Sequence, residues 1–160
     1  MIPRIKLIVD LYGVSERLAL KALGEMKPED LYERPVDKAN SFHWVFGHIV
    51  SSRYGLARAL GLKESVSWGE LYDYGSDIYD VSKYPSVEEI HTAFIDITKK
   101  LKERFETVTE QDLAVEPPFT IPGIEKNAAG SLAFLSLHES YHVGQLAYIL
   151  RLYGRDKLAG

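Results

Sequence analysis

The stretch Leu137–Leu150, LHESYHVGQLAYIL, decides how this chain is read. It is apolar enough for the inside of a helical protein, yet His138 and His142 stand four residues apart in it. At ~100° per residue, Leu135, His138, His142, Gln145 and Ile149 share one side of a helix. The two imidazoles thus sit at the centre of the face that should be buried. Two explanations compete: they fill space as neutral, hydrogen-bonded core residues, or they hold a metal. A lone histidine on an apolar face is usually a core residue. Two of them must find partners for four ring nitrogens, and each buried polar group left unsatisfied costs ~1–3 kcal/mol. The H-x-x-x-H spacing lets both rings reach one ion at ~2.0–2.1 Å, which removes that cost. Residues 138–142, HESYH, have the same spacing as the H-E-x-x-H of zinc proteases, so the role of Glu139 is the distinguishing point. Glu139 is turned ~100° from His138, so it reads as a rim or interhelical salt-bridge residue rather than a catalytic base.

Working outward, four segments carry a helical period: Arg4–Met26, Ser41–Leu60, Val87–Val108 and Ala128–Tyr153. The first repeats Ile8, Leu11, Ser15, Leu18, Ala22 and Met26 at three and four. The second repeats Val45, Ile49, Leu56 and Leu60, with Asn40 or Ser41 as its cap and Gly61 as its end. The third repeats Ile90, Phe94, Ile97, Leu101 and Phe105 behind a Ser86/Glu89 capping box. Rods of this kind are ~30 Å long. Together they predict an all-α, up-and-down four-helix bundle in a single domain, residues 1–160. The connection 62–85 is long and aromatic, holding Trp68, Tyr72, Tyr74, Tyr79 and Tyr84. It reads as a satellite core or as a roof over a pocket, with a short helix near Ser67 to Tyr74. Residues 109–127 are too rich in proline for helix at their centre.

Composition narrows the chemistry. The 160 residues contain no cysteine, which leaves His, Asp and Glu as the metal ligands on offer and removes a resident thiol nucleophile. A net charge of −4 without a basic cluster argues against nucleic acid as partner. No segment approaches the ~18 apolar residues of a membrane span. With no signal peptide visible, a cytoplasmic protein without a membrane partner is expected.

A third ligand would come from His43, His48 or His91. His48 flanks the second helix's stripe among small residues, which favours it. His43 points to the far side, nearer solvent, and His91 lies off the third helix's stripe. Gln145, a turn beyond His142, is placed to orient a ligand ring. Trp44, a turn before His48, reads equally as a wall of the site or as core. Tyr72 belongs to the candidate roof. Arg53 could meet an anionic substrate, with an exposed salt bridge as its ordinary role. Tyr141 reads as interhelical packing. The small residues Ala133, Ser136, Ser140 and Ala147 suit close helix approach within the monomer or in a two-fold interface.

The segments WVFGHI and HESYHVGQLAYILRLYG resemble the DinB-like (YfiT-like) family of metal-binding four-helix bundles. That family carries a histidine in a W-x-x-G-H-like segment and H-x-x-x-H-x-G-Q on its last helix. The resemblance spans most of the chain and implies a divalent ion, nickel or zinc, held by His48, His138 and His142. It implies an open coordination position, a homodimer and a small-molecule substrate. Some relatives transfer low-molecular-weight thiols such as bacillithiol, or isomerise maleylpyruvate with mycothiol. The expected function is a metal-dependent enzyme that activates a small thiol, as an S-transferase, or water, as a hydrolase. The alternative is a non-catalytic metal or ligand-binding module.

Overall fold

Local capping chemistry places the ends of the helices. The computed structural model describes residues 1–73, 75–76 and 80–158. Helix α1 is Pro3–Glu25, α2 Phe42–Ala59, α3 Val87–Thr107, α4 Glu110–Ala114 and α5 Ala128–Leu152. The Ser41 hydroxyl accepts from the Trp44 N–H at 3.2 Å, and Asn127 Oδ1 from the Gly130 N–H at 2.8 Å. These bonds satisfy donors that a helix start leaves free. The Ser86/Glu89 capping box opens α3 as expected. Gly61 (φ 84°) and Gly154 (φ 72°) follow α2 and α5 in the left-handed conformation that a Cβ disfavours.

Three local features differ from expectation. A reciprocal box between Thr109 and Asp112 starts the one-turn helix α4, a T-x-x-D signal present in the sequence. Around Ser67 to Tyr74 there is only a 3-10 turn, Gly69–Tyr72; Tyr74 and Tyr79 lie outside the described residues. On α1 the inward face is Ile5, Tyr12, Ser15, Ala19 and Ala22, while Leu11 is exposed. Tyr12 turns in to meet the Phe105 ring at 6.1 Å, and Ala19 and Ala22 are small enough to lie fully buried in the core.

The four long helices form the expected bundle. Phe46 meets Phe94, Arg53 meets Thr98, and Arg104 Nε donates to the Leu60 carbonyl, so α2 and α3 run parallel. Tyr12 with Phe105 and Glu16 with Lys102 set α1 opposite to α3. The directions are therefore up, down, down, up rather than strictly alternating. A parallel neighbour obliges the chain to travel back along α2, ~27 Å for its 18 residues. That return path is a physical reason for the long aromatic connection. Helix α2 lies against both α3 and α5 and buries Phe42, Phe46, Ile49 and Leu56.

Candidate metal centre

The site lies where α2 meets α5. His48 projects from α2, and His138 and His142 project one turn apart from α5. Their Nε2 atoms converge: His138 Nε2 is 3.2 Å from that of His48 and 3.1 Å from that of His142. A tetrahedral ion with ligands at ~2.0–2.1 Å needs ligand nitrogens about 3.3 Å apart. The observed spacing fits that demand.

Groups behind two of the rings decide what converges. His48 Nδ1 lies 2.5 Å from the Tyr72 carbonyl oxygen, which only accepts, so the proton is on Nδ1. His142 Nδ1 lies 2.7 Å from Gln145 Oε1, whose amide N–H donates onward to the Tyr141 hydroxyl at 3.1 Å. With the amide so placed, His142 also carries its proton on Nδ1. Both Nε2 atoms therefore present lone pairs to the centre. His138 Nδ1 is buried and meets no partner among the described residues, so this ring's tautomer is not set from behind. Either one His138 proton is shared between two lone pairs, or three lone pairs face one another. A cation accepts all three.

Burial keeps the rings neutral, the form that ligates. It lowers His138 and His142 to about 4, helped by the neighbouring imidazoles. It lowers His48 as well, against the pull of the Tyr72 carbonyl. At neutral pH none of the three rings carries a second proton, so each keeps a lone pair for a metal.

Trp44 stacks on His48, ring centroids 4.9 Å apart and planes 8° apart, and its indole N–H donates to Ser76 Oγ at 3.3 Å. Tyr72 is fully buried and reaches the site through its backbone carbonyl, not its ring. The reason is Gly47. A Cβ there would lie 2.5 Å from Tyr72 Cζ and 2.6 Å from Cδ1, closer still to Cε1. The missing side chain lets the aromatic ring sit directly on α2, one residue before the candidate ligand.

Other expectations change. Arg53 is not exposed: it is 2% accessible and forms a bidentate pair with Glu139, Nε to Oε2 at 2.8 Å and Nη2 to Oε1 at 2.6 Å. It also donates to the Thr98 hydroxyl and lies over the Phe94 ring at 4.3 Å. Glu139 is thus the interhelical salt-bridge partner, in the core rather than at a rim. Burial pushes its carboxyl up, and the guanidinium pulls the other way. Its guanidinium partner, Arg53, is engaged by Glu139 and Thr98 in the core.

His43 is also buried rather than near solvent. Its Nε2 bonds the Pro85 carbonyl at 3.0 Å and its ring stacks on Tyr32 at 4.3 Å, because the long connections cover that side of α2. Tyr141, expected to pack between helices, is 62% exposed. His91 is exposed on α3, away from the cluster.

An all-helical bundle with a three-imidazole cluster open to a metal ion is the class these features define. The family model of the DinB superfamily matches residues 12–146, and the chain belongs to that superfamily. Among solved structures it is similar to YfiT from Bacillus subtilis, at 15% identity and TM-score 0.64, covering 93% of this chain and 89% of that one. That protein is described as "a probable metal-dependent hydrolase with an unusual four-helix bundle topology". Comparison with curated proteins gives no match.

Proposed function

We propose that the chain is a metal-dependent hydrolase acting on a small molecule, with His48, His138 and His142 as ligands of a divalent ion. The observation that carries the reading is the pair of fixed tautomers: Tyr72 and Gln145 turn two lone pairs toward a point that His138 also faces. The description of YfiT as a metal-dependent hydrolase supports it. A divalent ion held by three nitrogens supplies Lewis acidity and lowers the pKa of a bound nucleophile. The chain's own residues do the rest. Tyr72 and Gln145 orient two ligand rings, and Trp44 shields one face of His48. Tyr141 accepts from Gln145 and so keeps its own hydroxyl proton to offer a substrate.

Thiol transfer is the finer variant of the same proposal, since a chain without cysteine needs its sulfur nucleophile from outside. Nickel and zinc are the ions we place there. Exposed apolar side chains on α1 (Leu7, Leu11) and α5 (Leu137) support a homodimer. No described helix is long and apolar enough to cross a membrane; a cytoplasmic location belongs to the proposal.

The test is a metal-stripped protein reloaded with zinc, nickel or cobalt and screened against activated esters, amides and phosphoesters, with and without small thiols. Hydrolysis should return with metal, vanish in His138→Ala and survive in His91→Ala. Turnover that ignores metal, or equal metal loss in both variants, sinks the reading. Metal binding without turnover across the panel would favour a binding module.

A further inference from the structure

A cleft of about 610 Å³ lies beside the metal centre, between α5 and the segment 35–40. That size is typical of small-molecule sites. Val36, Val45, Ile149 and Leu152 make apolar walls, and Gln145 and Tyr141 form the side toward the histidines. One wall of the cleft is thus the hydrogen-bond relay that orients His142.

Two further features point to an occupant. Lys38 lines the cleft and forms no ion pair among the described residues. It is also the one described non-glycine residue with a left-handed backbone, φ 62°, a conformation uncommon for a residue with a Cβ. The Ala39 N–H to Val36 carbonyl bond (3.1 Å) and the Arg34 bond to the Ala39 carbonyl (3.2 Å) hold the turn that carries it. On the opposite side, Gly144 leaves the floor open: a Cβ there would meet nothing within 4 Å.

We propose that this cleft binds a small amphipathic organic anion, its acid group at Lys38, its apolar body on Val36 and Ile149, and its far end at Gln145 and Tyr141. A carbonyl or ester at that far end would lie next to the candidate metal centre. The proposal deepens the hydrolase reading by naming its substrate class, and rests on that reading for the chemistry but not for the binding.

The experiment is calorimetric titration of the metal-free full chain with phenylbutyrate and with phenylbutanol, which share an apolar body and differ in charge. The acid should bind one to one and more tightly than the alcohol. Lys38→Asn tolerates the left-handed backbone and removes the charge, so it should weaken the acid by about threefold and leave the alcohol unchanged. Gly144→Leu starts from a position where a Cβ meets nothing within 4 Å, extends a side chain over the floor and favours helix, so it should abolish binding of both while raising the melting temperature. Acid and alcohol binding alike, no binding of either, or undiminished binding by a folded Gly144→Leu each overturn the proposal. Absence of phenylbutyrate binding in a zinc-loaded chain that still hydrolyses neutral esters would sink the cleft alone. Binding in a chain that takes up no metal would sink the hydrolase alone.

Discussion

Gly47→Ala tests how the candidate site is held together. The added methyl would sit more than 1 Å too close to the Tyr72 ring, judged against ordinary contacts of ~3.5–4.0 Å. The ring has nowhere to retreat. It is fully buried, with Trp68, Tyr84 and His43 at 5.5, 5.3 and 6.0 Å between centroids. Overpacking of this kind costs ~1–3 kcal/mol. For a chain of this size each kcal/mol lowers Tm by roughly 2–4 °C, so thermal melts of the metal-free protein should fall by roughly 2–12 °C. The second effect is specific. Moving Tyr72 pulls its carbonyl from His48 Nδ1, and loss of such a partner lowers metal affinity about 10–100-fold. Chelator competition with zinc would read this directly. Gly24→Ala is the control, since its added methyl meets nothing within 4 Å. Gly47→Ala combined with Tyr72→Ala removes the clash as well as the ring, and should regain part of the lost affinity. A Gly47→Ala protein that melts and binds zinc like the parent would refute the close approach.

The buried pair and the buried far-side histidine give two further tests. Arg53→Met leaves the Glu139 carboxyl in the core without its partner and should cost about 3–5 kcal/mol in denaturant unfolding, whereas Arg53→Met with Glu139→Leu should recover most of it; equal losses would mean the pair is not isolated from water. His43 is lowered by burial to about 4, so the unfolded state, titrating near 6.5, binds more protons between those values. Stability of the metal-free chain should therefore be full above pH ~6.5 and fall on acidification toward pH ~4, with His43 accounting for about 3 kcal/mol. His43→Phe should reduce that slope by its one-proton share and leave the part that belongs to the three clustered histidines, also lowered by burial; an unchanged slope would show that His43 does not contribute.

The amphipathic period and the caps make the bundle legible in the sequence itself. Ser41, Ser86, Asn127, Gly61 and Gly154 each act through neighbours a few residues away, and all four long helices end within one residue of the expected limits. The i, i+4 histidines on α5 are likewise local information. His48 follows from helix-face geometry and from the family resemblance together, and the fold brings it to the other two.

What only the tertiary structure decided is everything that joins residues far apart in the chain. Periodicity says that one side of α2 is buried, but α2 is covered on most sides, so His43 and Arg53 go inside with partners on other segments. The parallel α2–α3 pair, the tautomers set by Tyr72 and Gln145, and the seat that Gly47 gives the Tyr72 ring depend on packing. A helical repeat records which face is apolar; it carries no record of what arrives to cover it.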